Sequence, residues 1–465
     1  MEKSLNITRS DLKYLINEVC RKLALLNETM DEGGLYGHMQ HPYDINEFTF
    51  GTLRKLVNDL FTGKISQISE KLDGMNIFAT VNPKGEPKFA RNSKQVDGDD
   101  AGMGIPEMEE RWGGEGSDPT LLQAYVNAFH MFTDAINKLP DPVGFFNGPG
   151  YKLYANCEVL DPNHPNIIHY GKTAFSIHGL IGFATDGEGK PERFDVPEEE
   201  EKWRMDQLRQ VLPTVNSTHG LVQVTPFVAL QAREDGMEMV KAFEAKIDRI
   251  EEMSGTNDKS QIIDYKKAMI VKYLVQYGLG NLLNQPFTDL FITRWAYIDK
   301  EKKEKPKEVQ DMPGLVQIRK IVQTSGVENA KELYSAAYDF EKTKLPKVFS
   351  DIMSYLEDFV YELGNVAIES CQGLANAGYE NETIASLADQ LEIAKETIAN
   401  SDDIEAGEKM AWCLKKLELL GNKINAAEGI VFNYAGHTLK LTGSFAALNK
   451  AINNTQGKKR KNQGY

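Results

Sequence analysis

The feature that most constrains this 465-residue chain is a change of periodicity that reverses near its end. Apolar residues alternate through residues 76–81 (Ile77, Ala79, Val81), 88–92, 153–160 and 173–183, the two-residue period of strands. From about residue 191 to residue 425 the spacing turns helical, over 240–253, 262–277, 327–340, 348–370, 384–399 and 404–420, with a charged break at 302–307. Alternation then returns in Glu428-Gly429-Ile430-Val431-Phe432 and in residues 438–443, on either side of Ala435-Gly436. A sheet that is left and then resumed implies an α+β domain of antiparallel strands, interrupted by a large all-helical insertion.

The expected organisation is therefore a helical and loop segment at 1–65, the first part of the sheet domain at 66–190, the helical insertion at 191–425, a final hairpin at 426–450 and a basic tail at 451–465. A chain this long exceeds one ordinary core, which agrees with more than one domain. Within the first segment, Ser10 can cap a helix carrying Leu12, Leu15, Ile16, Val19 and Leu23, and a second short helix is expected over 52–61. Asn82-Pro83-Lys84-Gly85 reads as a hairpin turn, 97–118 as a Gly- and Asp-rich loop, and 121–139 as an amphipathic helix.

Composition excludes some classes of function. Hydrophobic content of 41% and charged content of 26% suit a soluble globular protein. No stretch approaches the ~18 apolar residues of a membrane span, and the start lacks a signal-peptide core. Cys20, Cys157, Cys371 and Cys413 lack metal-type pairing, which points to reduced thiols, a cytoplasmic setting and no zinc. His38 and His41 have no carboxylate or cysteine at helical spacing, so they read as structural. A net charge of −15 argues against coating nucleic acid by bulk electrostatics. Residues 51–96 nevertheless carry eight Lys/Arg against four acids, a locally basic face suited to phosphate. Lys458-Lys459-Arg460-Lys461 reads equally as a solubilising end or a nucleic-acid contact.

The chemistry centres on Ser69-Glu70-Lys71-Leu72-Asp73-Gly74-Met75-Asn76, a lysine just ahead of a strand. An amine attacks phosphorus only when unprotonated, so such a nucleophile needs burial or nearby positive charge to lower its pKa. Other chemistry-bearing residues sit in strand-like runs further on: Arg91, then Glu158 in Asn156-Cys157-Glu158-Val159, Phe175, Glu428 and Lys440. A charge inside such a run needs a reason.

In that order the set resembles the covalent nucleotidyltransferases, which include ATP-dependent DNA ligases, RNA ligases and mRNA-capping guanylyltransferases. Glu70-Lys71-x-x-Gly74-x-Asn76 looks closest to nick-sealing bacteriophage RNA ligases, and the segment from Gly37 to Gly51 resembles ligase-like proteins of large tailed phages. The resemblance covers roughly 65–185 and 425–445, which would be an adenylation domain.

It implies that Lys71 takes AMP from ATP, with Glu70, Asp73, Gly74 and Asn76 shaping the pocket. Arg91 would meet phosphate, Glu158 a ribose hydroxyl, and Phe175 the purine. Glu428 would position Mg²⁺, and Lys440 would meet the α-phosphate. Thr442 stands where the family carries a second lysine. The stretch after Lys440 leaves no room for a DNA-ligase barrel, which favours RNA ligase-like architecture. The implied function is ATP-dependent sealing of RNA or DNA ends, with nucleic acid as partner and a protein partner possible through the helical insertion. A guanylyltransferase, or a non-catalytic phage structural or assembly protein that retains the pocket, are the alternatives.

Overall fold

The structure is a computed structural model that describes residues 39–372 and 427–443, apart from 66, 93–94, 97–100, 115–117, 165–169, 186–190 and 301–304. The expected helix after Ser10, His38, the helices at 384–399 and 404–420, Cys20, Cys413 and the basic tail lie outside the described residues.

Helices and mainly antiparallel strands are both present, so the chain is α+β. The strands are β1 (Ile68–Lys71), β2 (Met75–Val81), β3 (Pro87–Ala90), β4 (Asn147–Gly148), β5 (Tyr151–Leu160), β6 (Ala174–Thr185), β7 (Pro191–Phe194), β8 (Leu221–Val224), β9 (Phe227–Leu230), β10 (Cys371–Gln372), β11 (Gly429–Tyr434) and β12 (His437–Thr442). One sheet has the order β10-β9-β1-β11-β12, and the other β3-β2-β5-β6-β7 with β4 on β5 and β8 on β6. β8 runs parallel to β6.

The chain divides into two compact units. The sheet-bearing unit contains Ser66–Ala229 and the described parts of Cys371–Tyr465; the other contains Gln40–Ile65 and Leu230–Ser370. These limits differ from the expected ones in two places. Residues 191–229 carry β7, the helix Glu198–Val211, β8 and most of β9, and they belong with the sheets. Four-residue strands show too few alternations to stand out against helical surroundings. Residues 40–65 group with the helices because the helix Phe50–Phe61 buries Phe50, Leu53, Leu56, Val57, Leu60 and Phe61.

In the sheet unit, the helix Pro119–Ile136 lies across one face of the larger sheet. Asp118 caps it by accepting from the Thr120 N–H at 2.9 Å, Pro119 opens it, and Leu121, Tyr125, Ala128, Met131, Phe132 and Ile136 form its buried stripe. These side chains pack with Ile77, Val81, Phe89, Cys157, Val159, Phe175 and Ile177 from the strands. Each such large side chain contributes about 1.5–3 kcal/mol by leaving water. The opposite face carries a smaller cluster of Phe78, Ala90, Tyr154, Ile181 and Phe183.

The stretch expected to be loop between 97 and 118 contains a helix, Ile105–Trp112. Pro106 in its first turn, the Glu107 carboxylate on the Gly104 N–H (2.8 Å), and burial of Met108 and Trp112 four residues apart stabilise it despite the glycine-rich flanks.

The helical unit has its own polar clusters, one at the surface and one in its interior. Arg54 contacts Asp248 at 2.7 Å, Glu251 at 2.6 Å and Asp258 at 2.6 Å. Lys266, fully buried, donates to Asn46 Oδ1 at 3.0 Å and Asp299 Oδ2 at 3.1 Å. His41 is buried and stacks on Tyr43, centroids 4.9 Å apart, a structural role. No helix among the described residues is long and apolar enough to cross a membrane.

Candidate functional site

Lys71 ends β1, where its register partner in β11 is Gly429. Glu428 immediately precedes β11, and its Oε1 lies 2.5 Å from Lys71 Nζ, with 19% of the lysine side chain and 11% of the glutamate side chain exposed. Burial acts to lower the amine's pKa, but the charge of Glu428 and its hydrogen bond, then Glu158 and Asp73, prevail and raise it above the ordinary 10.5. The nearly buried amine is therefore held as a cation.

The residues after Lys71 carry the chain from one sheet to the other, and two distant side chains hold that crossing. The Asp73 N–H donates to Tyr170 Oη at 2.9 Å, and the Gly74 N–H donates to Glu158 Oε1 at 3.0 Å. Residue 74 must be glycine, because a Cβ there would lie 2.5 Å from the Val159 carbonyl oxygen and 2.8 Å from Glu158 Cγ. Asp73 itself is buried, at 4% exposure.

β2, β5 and β6 then supply a polar floor. Asn76, Glu158 and Ser176 are register neighbours across the three strands, and Asn76 Nδ2 donates to Asn156 Oδ1 at 2.8 Å. The β5–β6 register shifts between Asn156 and Cys157, which pair with Gly179 and Ile177 and leave His178 as the extra residue of a bulge. The bulge brings His178 Nε2 within 3.6 Å of Glu158 Oε2, while His178 Nδ1 is 2.8 Å from Thr225 Oγ1.

Lys71, Asp73, Gly74, Asn76, Glu158 and Glu428 thus come together around one turn. Glu70 alternates to the other face of β1, in the row with Ile430 and Leu441, and is 3% exposed. Three further expected site residues lie outside this turn. Phe175 is fully buried on the helix-covered face, stacked on Phe89 with centroids 5.9 Å apart and an interplanar angle of 1°. Its register partner is Val159, whereas Glu158 belongs to the opposite face, so strand alternation turns the ring away from the polar floor. Arg91 lies over the Tyr125 ring of the covering helix, 5.6 Å from the centroid. Lys440 pairs with Val431, two residues along β12 from the row Lys71–Gly429–Thr442, a separation of about 7 Å along the strand. Thr442, where a second lysine was expected, is buried in that row.

Tyr170, His178 and Asn156 were missed from sequence. A histidine followed by glycine inside a strand run is a signal for a bulge and could have pointed to His178. Tyr170, outside any periodic segment, left no such trace. Comparison with known protein families, characterised proteins and solved structures finds no match to this chain.

Proposed function

We propose that this chain is a ligase-type nucleotidyltransferase, with an adenylation domain interrupted by a helical insertion, that takes AMP from ATP onto Lys71 and delivers it to a nucleic-acid 5′-phosphate. The observation that supports this reading most is the ion pair of Lys71 with Glu428, two residues that the resemblance assigns to one site from opposite ends of the strand-bearing sequence. Glu158 and Asp73, also expected at the site, contribute to the same electrostatic field.

Lys71 Nζ would attack the α-phosphorus, forming a P–N bond as the P–O bond to pyrophosphate breaks and its electron pair leaves with pyrophosphate. A 5′-phosphate oxygen would then displace the lysine, and a 3′-hydroxyl would finally displace AMP to close the strand. The amine must first surrender its proton. Burial favours that loss, so it gains the upper hand once Glu428 ceases to neutralise the amine. No group of three or more His, Cys, Asp or Glu side chains among the described residues could hold a metal ion by itself; magnesium would take one or two carboxylates and complete its shell with phosphate oxygens and water. Glu428 would hold the ion, which when bound supplies positive charge to the phosphates. Asn76 and Glu158 would face the nucleotide, and Lys440, two residues from Thr442 on the same face of β12, would reach back to stabilise phosphate charge.

The charged state of Lys71 and the buried Thr442 favour a second reading, a non-catalytic relative that keeps the pocket. Incubation with α-labelled ATP or GTP followed by a denaturing gel separates the readings. The ligase reading expects label from ATP on the full chain and none on Lys71→Ala. Label from GTP alone, or equal label on Lys71→Ala, overturns it; no label from either nucleotide supports the non-catalytic relative.

A further inference from the structure

We propose that Tyr170 is a positioning residue for Lys71, its buried phenol oxygen fixing the backbone of the turn that aims the amine. The inference rests on the reading of Lys71 as the nucleophile. Two adjacent backbone N–H groups, those of Asp73 and Gly74, lie just past the end of β1 and are both taken by side chains. Such groups are costly when buried and unmatched. The Gly74 N–H finds Glu158, held by β5; the Asp73 N–H finds Tyr170, 97 residues along the chain, at 2.9 Å. Lys71 stands two residues before the first of these anchors, so the path of its backbone is defined by β1 on one side and by this pair on the other.

Tyr170 is suited to the task. It is 4% exposed, and its phenol senses the carboxylates of Asp73, Glu70 and Glu428. Burial, then those charges, push its pKa well above the ordinary tyrosine value, so it stays a neutral hydroxyl that can accept from the amide. Its hydroxyl bonds the backbone of the turn, whereas Glu428 bonds the lysine amine itself. Removing the oxygen while keeping the ring releases the Asp73 amide and leaves the packing in place.

The test is Tyr170→Phe in the full chain, read four ways. Hydrogen exchange of the segment containing Asp73 should accelerate. The rate constant for ATP-dependent labelling at saturating ATP should fall roughly tenfold or more, because misplacing a nucleophile by a fraction of an ångström costs rate. The ATP concentration giving half the maximal rate should change less than twofold. A fourth readout, like hydrogen exchange, needs no nucleotide: the rate at which an amine-acylating reagent modifies Lys71 should change. Unchanged exchange, or faster exchange with an unchanged labelling rate, overturns the proposal. If wild type takes no label, the ligase reading fails by itself; unchanged Lys71 acylation in Tyr170→Phe then overturns the positioning role, and altered acylation with faster exchange supports it.

Discussion

Two lysines largely withdrawn from water, one in each compact unit, have been given opposite electrostatic surroundings. Lys71 in the sheet unit keeps 19% of its side chain exposed and meets Glu428 at 2.5 Å, with Glu158 and Asp73 behind it. Lys266 in the helical unit is fully buried, lies 5.5 Å from the Phe349 ring centroid, and has Asn46 and Asp299 as hydrogen-bond partners. Burial opposes the charge of both. At Lys71 the surrounding carboxylates prevail and the pKa is raised; at Lys266 burial prevails over Asp299 and the pKa is lowered. Burial alone therefore does not mark a reactive amine. The more readily deprotonated lysine is shut inside a helical core, whereas the lysine beside a polar floor is charged until its partner is neutralised.

The largest expected effect is in nucleotide labelling. Lys71→Ala should lose label by on the order of a thousandfold or more, as removal of a covalent nucleophile does. Lys266→Met should label at the wild-type level per folded molecule. Label that follows Lys266 instead would reverse the comparison.

Stability separates the core from the site next. Phe175→Ala should lower the unfolding free energy by about 3–5 kcal/mol, the usual cost of an emptied aromatic site, measured by denaturant titration. Lys266→Met should cost about 1–3 kcal/mol, because Asp299 and Asn46 lose their donor.

The pH dependence of stability should differ in sign. Lys71 has a folded value above its ordinary 10.5, so the native state binds more protons across that interval. Its contribution is complete below 10.5 and disappears as pH rises through the raised value. Lys266 has a folded value below 10.5, so the unfolded state binds more protons and stability rises with pH from the lowered value up to 10.5. Alkaline denaturation profiles of Lys71→Met and Lys266→Met should depart from wild type in opposite directions; departures of the same sign would break the contrast.

The smallest effect is the most diagnostic. Thr442→Lys would place a second cation in the row of Lys71, beyond the side-chain-free Gly429. The pH at which Lys71 becomes reactive to an acylating reagent should fall, since a like charge disfavours the protonated amine. No change would mean that the added ammonium is screened or turned away.

Much of the sheet unit was legible because its central strands are long enough to alternate. The runs read over 76–81, 153–160 and 173–183 correspond to β2, β5 and β6, and the final hairpin to β11 and β12. β8 was not legible: unlike β3, which follows a hairpin turn, it is joined to its partner by no hairpin and is defined by its parallel pairing with Ile177 and its neighbours in β6. Phe175 shows the same limit at the site. Its residue type and position suited a base-stacking role, but which face of β6 it occupies depends on register, and register follows from the partners Val159 and Val222. Lys266 passed unnoticed because one lysine on an apolar helix face usually extends to solvent.

By itself the sequence determined the alternation of strands, the change to helical spacing, and a set of chemistry-bearing residues around Lys71, since these depend on side-chain type and short-range period. Only the tertiary structure decided that Glu428 neutralises Lys71, that Tyr170 and Glu158 hold the turn between them, and that Phe175 belongs to the core. Those outcomes depend on strand register, on a bulge at His178 and on contacts between distant segments, and local periodicity carries no information about such distances.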